Sequence, residues 1–223
     1  MPQIYSHDDG YALHYGSSWA DARGNTPASS SSSSGSSYAV RVTAGAGRGS
    51  VIYSVSRAFM SFDVPGSVYH QPEKADLVVR GFSSTSGTLI VVGADYSSSI
   101  SNDDFDNITD ASTALSNTDG SGGGTFNGQV PTYSLASSWS SGWNTIPLND
   151  TALMAMAKAG AAGEDFKIAL INYTYDYLDV VLAAGLGGIT SAAACGVQFS
   201  SSRSDPYLNY TAGKQAIFMG ANF

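Results

Sequence analysis

The sequence predicts an all-β protein, a jelly-roll-like β-sandwich with one short helix. Three observations carry that expectation. At least eight segments alternate apolar and polar residues with a period of two, and Gly, Ser and Pro turns separate them. Only one stretch, TALMAMAK, places apolar residues at helical spacing. The length of 223 residues suits one sizeable β core, so 1–223 is expected as a single sandwich domain. Within it, residues 1–50 should supply N-terminal strands and a flexible Ser-rich loop at 29–37. Residues 51–211 should form the core sandwich, and 212–223 a C-terminal strand or tail.

Taken in order, the chain opens with QIYSHDDGYALHYG, where Ile4 and Tyr5 suit a short strand and Tyr11, Leu13 and Tyr15 share one side of a second. Asp8, Asp9 and Gly10 read as a turn between them, or as oxygen ligands for a structural calcium, the one cofactor in view. Ser29 to Ser37 cannot bury apolar area and is expected to be a flexible loop. Tyr38 to Val42 alternates again. The stretch from Val51 to Phe82 organises the rest. Ala58, Met60, Phe62 and Val64 fall on one side of a strand, opposite Arg57, Ser61 and Asp63, which predicts a half-buried strand. Ala75, Leu77 and Val79 alternate with Asp76 and Arg80 in the next, and the pair is expected to lie adjacent and antiparallel.

Further on, Leu89 and Val91 oppose Ile90 and Val92, so both faces of that strand should be covered. From Ser97 to Gly128 the chain turns polar. Asp103, Asp104, Asp106 and Asp110 lack the spacing of an EF-hand loop, and a solvated loop is expected. Trp139 and Trp143 then lie close together, as plugs of a sandwich edge or as rings that stack on sugar. Asn149 or Asp150 caps the helix, Leu153, Met154 and Ala157 form its apolar face, and Gly160 and Gly163 end it. In DFKIALINYTYDYL, Phe166, Ile168 and Leu170 face one way. Ala169, Ile171, Tyr173 and Tyr175 face the other, and Tyr177 continues a tyrosine ladder. Val197 and Phe199 return to the core, and YLNYT forms a late strand.

Composition narrows the function classes. The formal charge is -8, and the 10 Lys and Arg are scattered, which argues against nucleic acid as a partner. Polarity comes from Ser, Thr, Asn and Gly rather than charge. The single Cys195 allows no intrachain disulfide and reads as a small buried hydrophobe. MPQIYSHDDG has neither a basic nor an apolar leader region, and no 18-residue apolar run crosses a membrane, so neither secretion nor a membrane partner is expected. Sequons at Asn107, Asn149, Asn172 and Asn209 follow from the composition. His7, His14 and His70 form no metal or catalytic spacing, GxSxG is absent, and no enzyme activity is expected.

RAFMSFDVP, EKADLVVRGF, WNTIPLNDTALMAMAKAG, EDFKIALIN and VQFSSSRSDPYLNYT occur in that order over residues 57 to 211. Together they resemble the carbohydrate-binding-module-like DNRLRE domain, in which an "rFd" strand precedes an "sA.L.l" strand, then a helical segment, a "glal" strand and a closing "f.SrE...P.L.i.Y" strand. HDDGYA corresponds to the family's opening acidic turn. The sequence departs at the closing glutamate, where Asp205 stands after SSRS, and in the long 97–128 loop. The resemblance implies a jelly-roll β-sandwich, found in secreted polysaccharide-active proteins and in bacteriophage structural proteins.

The expected function is therefore a non-enzymatic virion structural protein of bacteriophage type, either capsid decoration or a fibre and adhesion component. It would be made in the host cytoplasm and displayed on the virion surface. Its partners would be copies of itself, first as a homotrimer, and other virion proteins such as the major capsid protein. Apolar edges and termini at Ile4, Tyr5, Ile217, Phe218 and Phe223 would make the attachment. The alternative is a carbohydrate-binding module for a cell-surface or extracellular polysaccharide. Trp139, Trp143, Tyr173, Tyr175 and Tyr177 are its candidate ligand residues.

Overall fold

In the computed structural model the described residues are 1–24, 27–33, 36–46, 50–68, 70–85, 87–96, 99–109, 126–183, 190–199 and 205–213. The protein is an all-β sandwich. Its strands are β1 (Gln3–Gly16), β2 (Ser30–Ser32), β3 (Ser37–Ala46), β4 (Val51–Asp63), β5 (Lys74–Thr85), β6 (Thr88–Gly93), β7 (Ser137–Ser138), β8 (Gly142–Pro147), β9 (Asp165–Asn172), β10 (Thr190–Gln198) and β11 (Tyr207–Thr211). Among the described residues two α-helices join them, α1 (Trp19–Gly24) and α2 (Asp150–Ala162). Every pairing between named strands is antiparallel.

Two strands act as hubs. β4 pairs β1 along one edge, and β3 followed by β9 along the other. β5 pairs β8 along one edge, and β11 followed by β10 along the other. The two therefore do not pair with each other, contrary to expectation. Their alternate side chains, Ala58, Met60, Phe62 and Val64 from one and Ala75, Leu77 and Val79 from the other, enter the same core. A two-residue period fixes which side chains point inward but says nothing about which strand lies alongside.

β4 is also buried on both faces. Val55, Phe59, Ala169, Ile171, Ile90 and Val92 belong to a second apolar cluster on the reverse of the β4, β9 and β6 layer. Its cover is not another sheet. Ile100, Phe105, Ile108 and Phe126, from the polar stretch expected to be a solvated loop, supply it together with Tyr177 and Leu182. Asp110 lies outside the described residues.

Other expectations meet the structure unevenly. β1 is one continuous strand, and Asp8 and Asp9 form a bulge within it rather than a turn, with Asp8 at φ 48°. Ser30–Ser32, expected in a flexible loop, pairs with Tyr11 to Leu13 as a short edge strand. α2 is capped by Asn149, whose side chain accepts from the Ala152 N–H, and ends at Gly163 with φ 68°. Gly160 lies inside it instead, where an added Cβ would come within 3.2 Å of the Pro65 carbonyl. Leu153 and Ala157 are buried, but Met154 is turned outward, 55% exposed. Cys195 is buried as expected, and burial pushes its thiol up to about 12. Ile4, expected at an attachment edge, is part of the core. Ile217, Phe218 and Phe223 lie outside the described residues.

Candidate functional site

The five candidate ligand residues separate into three environments. Trp139 lies in the main core, and its indole Nε1 donates to the Gly196 carbonyl at 3.0 Å. Gly81 makes room for it, since a Cβ there would lie 2.7 Å from Nε1 and 2.3 Å from the Ser140 carbonyl. Tyr173, Tyr175 and Tyr177 do not form a ladder. The chain winds into a π-helical turn over Tyr173–Tyr177, capped by Asn172, whose Oδ1 accepts from the Tyr175 N–H at 3.0 Å. Tyr177 is buried and stacks on Tyr173 at 5.9 Å, while Tyr173 and Tyr175 pack partly exposed against the second cluster. Trp143 alone stands out from a sheet, 49% exposed on β8.

Trp143 has aromatic company that sequence reasoning missed. Asn144, Ile146 and Leu148 turn inward, so Trp143, Thr145 and Pro147 face out. On β5 the same face carries Asp76 and Val78, both buried, and the exposed Arg80, and register places Arg80 opposite Trp143 and Val78 opposite Tyr207. Tyr207 in turn lies opposite Tyr5 on β1. The Trp143 and Tyr207 rings are 5.8 Å apart, and those of Tyr207 and Tyr5 are 5.6 Å apart. Tyr5 is 56% exposed and donates its hydroxyl proton to Gln3 Oε1 at 3.0 Å. A row of three aromatic rings thus crosses the outer face of β8, β5, β11 and β1. The signal was present in the alternation of Ile4 with Tyr5 and of Tyr207 with Leu208, but their alignment depends on which strands neighbour β5.

No family model matches the chain, and no curated protein matches it. The residues themselves must therefore carry the functional reading.

Polar groups gather elsewhere in three places. On the second apolar cluster, Arg57 is fully buried and makes five hydrogen bonds, to both carboxylate oxygens of Asp176, to Asp106 and to the carbonyls of Phe105 and Arg23, each 2.8 or 2.9 Å. Phe105 and Phe126 lie against its guanidinium at 4.1 and 5.0 Å. Burial works against its charge, yet Asp176 and Asp106 raise its pKa further. This cluster clamps the loop layer to the sheet.

At the β1 bulge, His7 contacts Asp8 at 3.0 Å and Asp165 at 3.3 Å. Burial opposes its charged form, but the two carboxylates outweigh it and hold the imidazole above its ordinary value. Asp9 Oδ2 accepts from the Ser6 hydroxyl at 2.6 Å, while Oδ1 is shut from solvent without a donor, and burial pushes this carboxyl up to about 7. Asp8 and Asp9, the residues considered for calcium, thus each have one carboxylate oxygen held by a protein group. Among the described residues no three His, Cys, Asp or Glu side chains gather as a metal site. Finally, Asp95, Tyr133, Lys158, Glu164, Asp165 and Lys167 line an open polar cavity of about 560 Å³. It shares no residue with the aromatic row.

Proposed function

We propose that the protein is a non-enzymatic recognition domain of a bacteriophage-type virion, a fibre or adhesion component, and that it binds polysaccharide through Tyr5, Tyr207 and Trp143. The exposed aromatic row carries this reading. Large apolar rings are costly to leave in water, whereas the C–H faces of sugar rings can cover them while hydroxyls stay hydrated or bond to neighbouring polar groups. Asn209 and Thr145 flank the row with such groups. A row along an open sheet face also suits an extended polymer better than a closed pocket does. The virion setting rests on the order of the sequence motifs and on the uncharged polar composition. Immunogold electron microscopy of native particles tests it, with label expected on the particle surface.

The binding reading is tested by a glycan array followed by affinity measurement. Replacing Trp143 or Tyr207 by Ala should weaken binding at least about tenfold, in line with about 1.4 kcal/mol per decade, without changing the circular dichroism spectrum. Replacing Trp139 should instead destabilise the fold. Undiminished glycan binding by both the Trp143 and the Tyr207 variants would sink the proposal.

A further inference from the structure

Arg80 lies at the aromatic row without an acidic partner among the described residues. Of the cations, Arg23 and Arg57 are buried in the clamp on the opposite side of the β4 layer, and Lys167 donates to the Tyr96 carbonyl at 2.6 Å. Lys74 is paired with Asp76 at 2.7 Å. Arg80 is exposed and makes no hydrogen bond or ion pair among the described residues. Register places it between Trp143 on β8 and Gln198 on β10, one outward position along β5 from Val78, which lies opposite Tyr207. Gln198 contributes a buried Oε1 that receives no donor. Arg80 is thus an exposed guanidinium directly across β5 and β8 from the exposed Trp143.

Resting on the carbohydrate reading, we propose that the ligand is an acidic polysaccharide whose uronate carboxylate sits on Arg80 while its pyranose rings lie on Trp143 and Tyr207. A guanidinium presents paired N–H groups that match a carboxylate in two parallel, charge-assisted hydrogen bonds. Asp76 does not cancel Arg80, because it is buried and already neutralised by Lys74.

Alginate, polygalacturonate and hyaluronan, each alongside its carboxyl-reduced form, and dextran sulfate as a non-uronate polyanion, serve as probes of the whole chain in affinity electrophoresis and calorimetry. At least one native polymer should bind tenfold or more tighter than its reduced form, with the difference shrinking as salt is raised. Arg80→Gln should abolish that difference. Trp143→Ala should weaken both forms. Equal binding of native and reduced polymers, selectivity that survives Arg80→Gln, or binding of dextran sulfate alone would overturn the inference. If reduced polymers bind equally and Trp143→Ala still abolishes binding, only the acidic-sugar assignment fails. If no polymer binds, the carbohydrate reading fails with it.

Discussion

Arg57 shows how much one side chain can organise. A fully buried guanidinium is tolerable only when its N–H groups are matched, and Asp176, Asp106 and two carbonyls match them. Asp176→Asn removes the central counter-charge from Arg57 and from Arg23, whose Nε lies 3.6 Å from Asp176 Oδ1. We expect a loss of about 3–5 kcal/mol, as for other broken buried pairs, read from urea unfolding midpoints. Asp9 predicts a pH effect. Its carboxyl is raised to about 7 in the fold, above an unfolded value of about 3.9. The folded state thus holds the proton longer, and the stability from the neutral form is full below about pH 4 and lost as pH rises through about 7. Thermal unfolding of wild type and Asp9→Asn between pH 4 and 8 should show the wild type losing ground steadily to the variant. Parallel curves would refute this.

At the scale of elements, end signals proved decisive. Asn149 receives the Ala152 N–H and donates from Nδ2 to the Thr132 carbonyl at 2.7 Å, so it both starts α2 and ties it to the preceding loop. Asn149→Ala should cost about 1–2 kcal/mol, measured by chemical denaturation; Asn149→Asp, which keeps the cap and loses only the second bond, should cost less. The 173–177 segment illustrates the opposite case. Its alternation of tyrosines favours a strand, yet Asp176 must reach Arg57, and the chain winds into a π turn that buries the carboxylate. Long-range charge pairing here outweighs a local period, and only three-dimensional proximity between residues 119 apart could reveal it.

Across the whole molecule, β4 is paired on both edges and covered on both faces, while β2 and β7 are short strands at the ends of the sheet order. Native-state hydrogen exchange should therefore find the slowest amides in β4 and β9, and the fastest strand amides in Ser30–Ser32 and Ser137–Ser138. Uniform protection across the strands would contradict the two-core description. The sequence by itself determined the all-β class, the inward residues of β4, β5, β6 and β9, the position of α2, with Asn149 as one of two cap candidates, and the burial of Cys195. Each follows from local periods or end chemistry that neighbouring residues write directly into the chain. It also singled out Trp143. Tertiary structure alone decided that β4 and β5 do not pair, that a polar stretch covers a second core, and that Tyr5, Tyr207 and Arg80 join Trp143 on one face. Those outcomes depend on strand order and on contacts between residues far apart in sequence, and a period-two pattern looks the same whichever strand lies alongside.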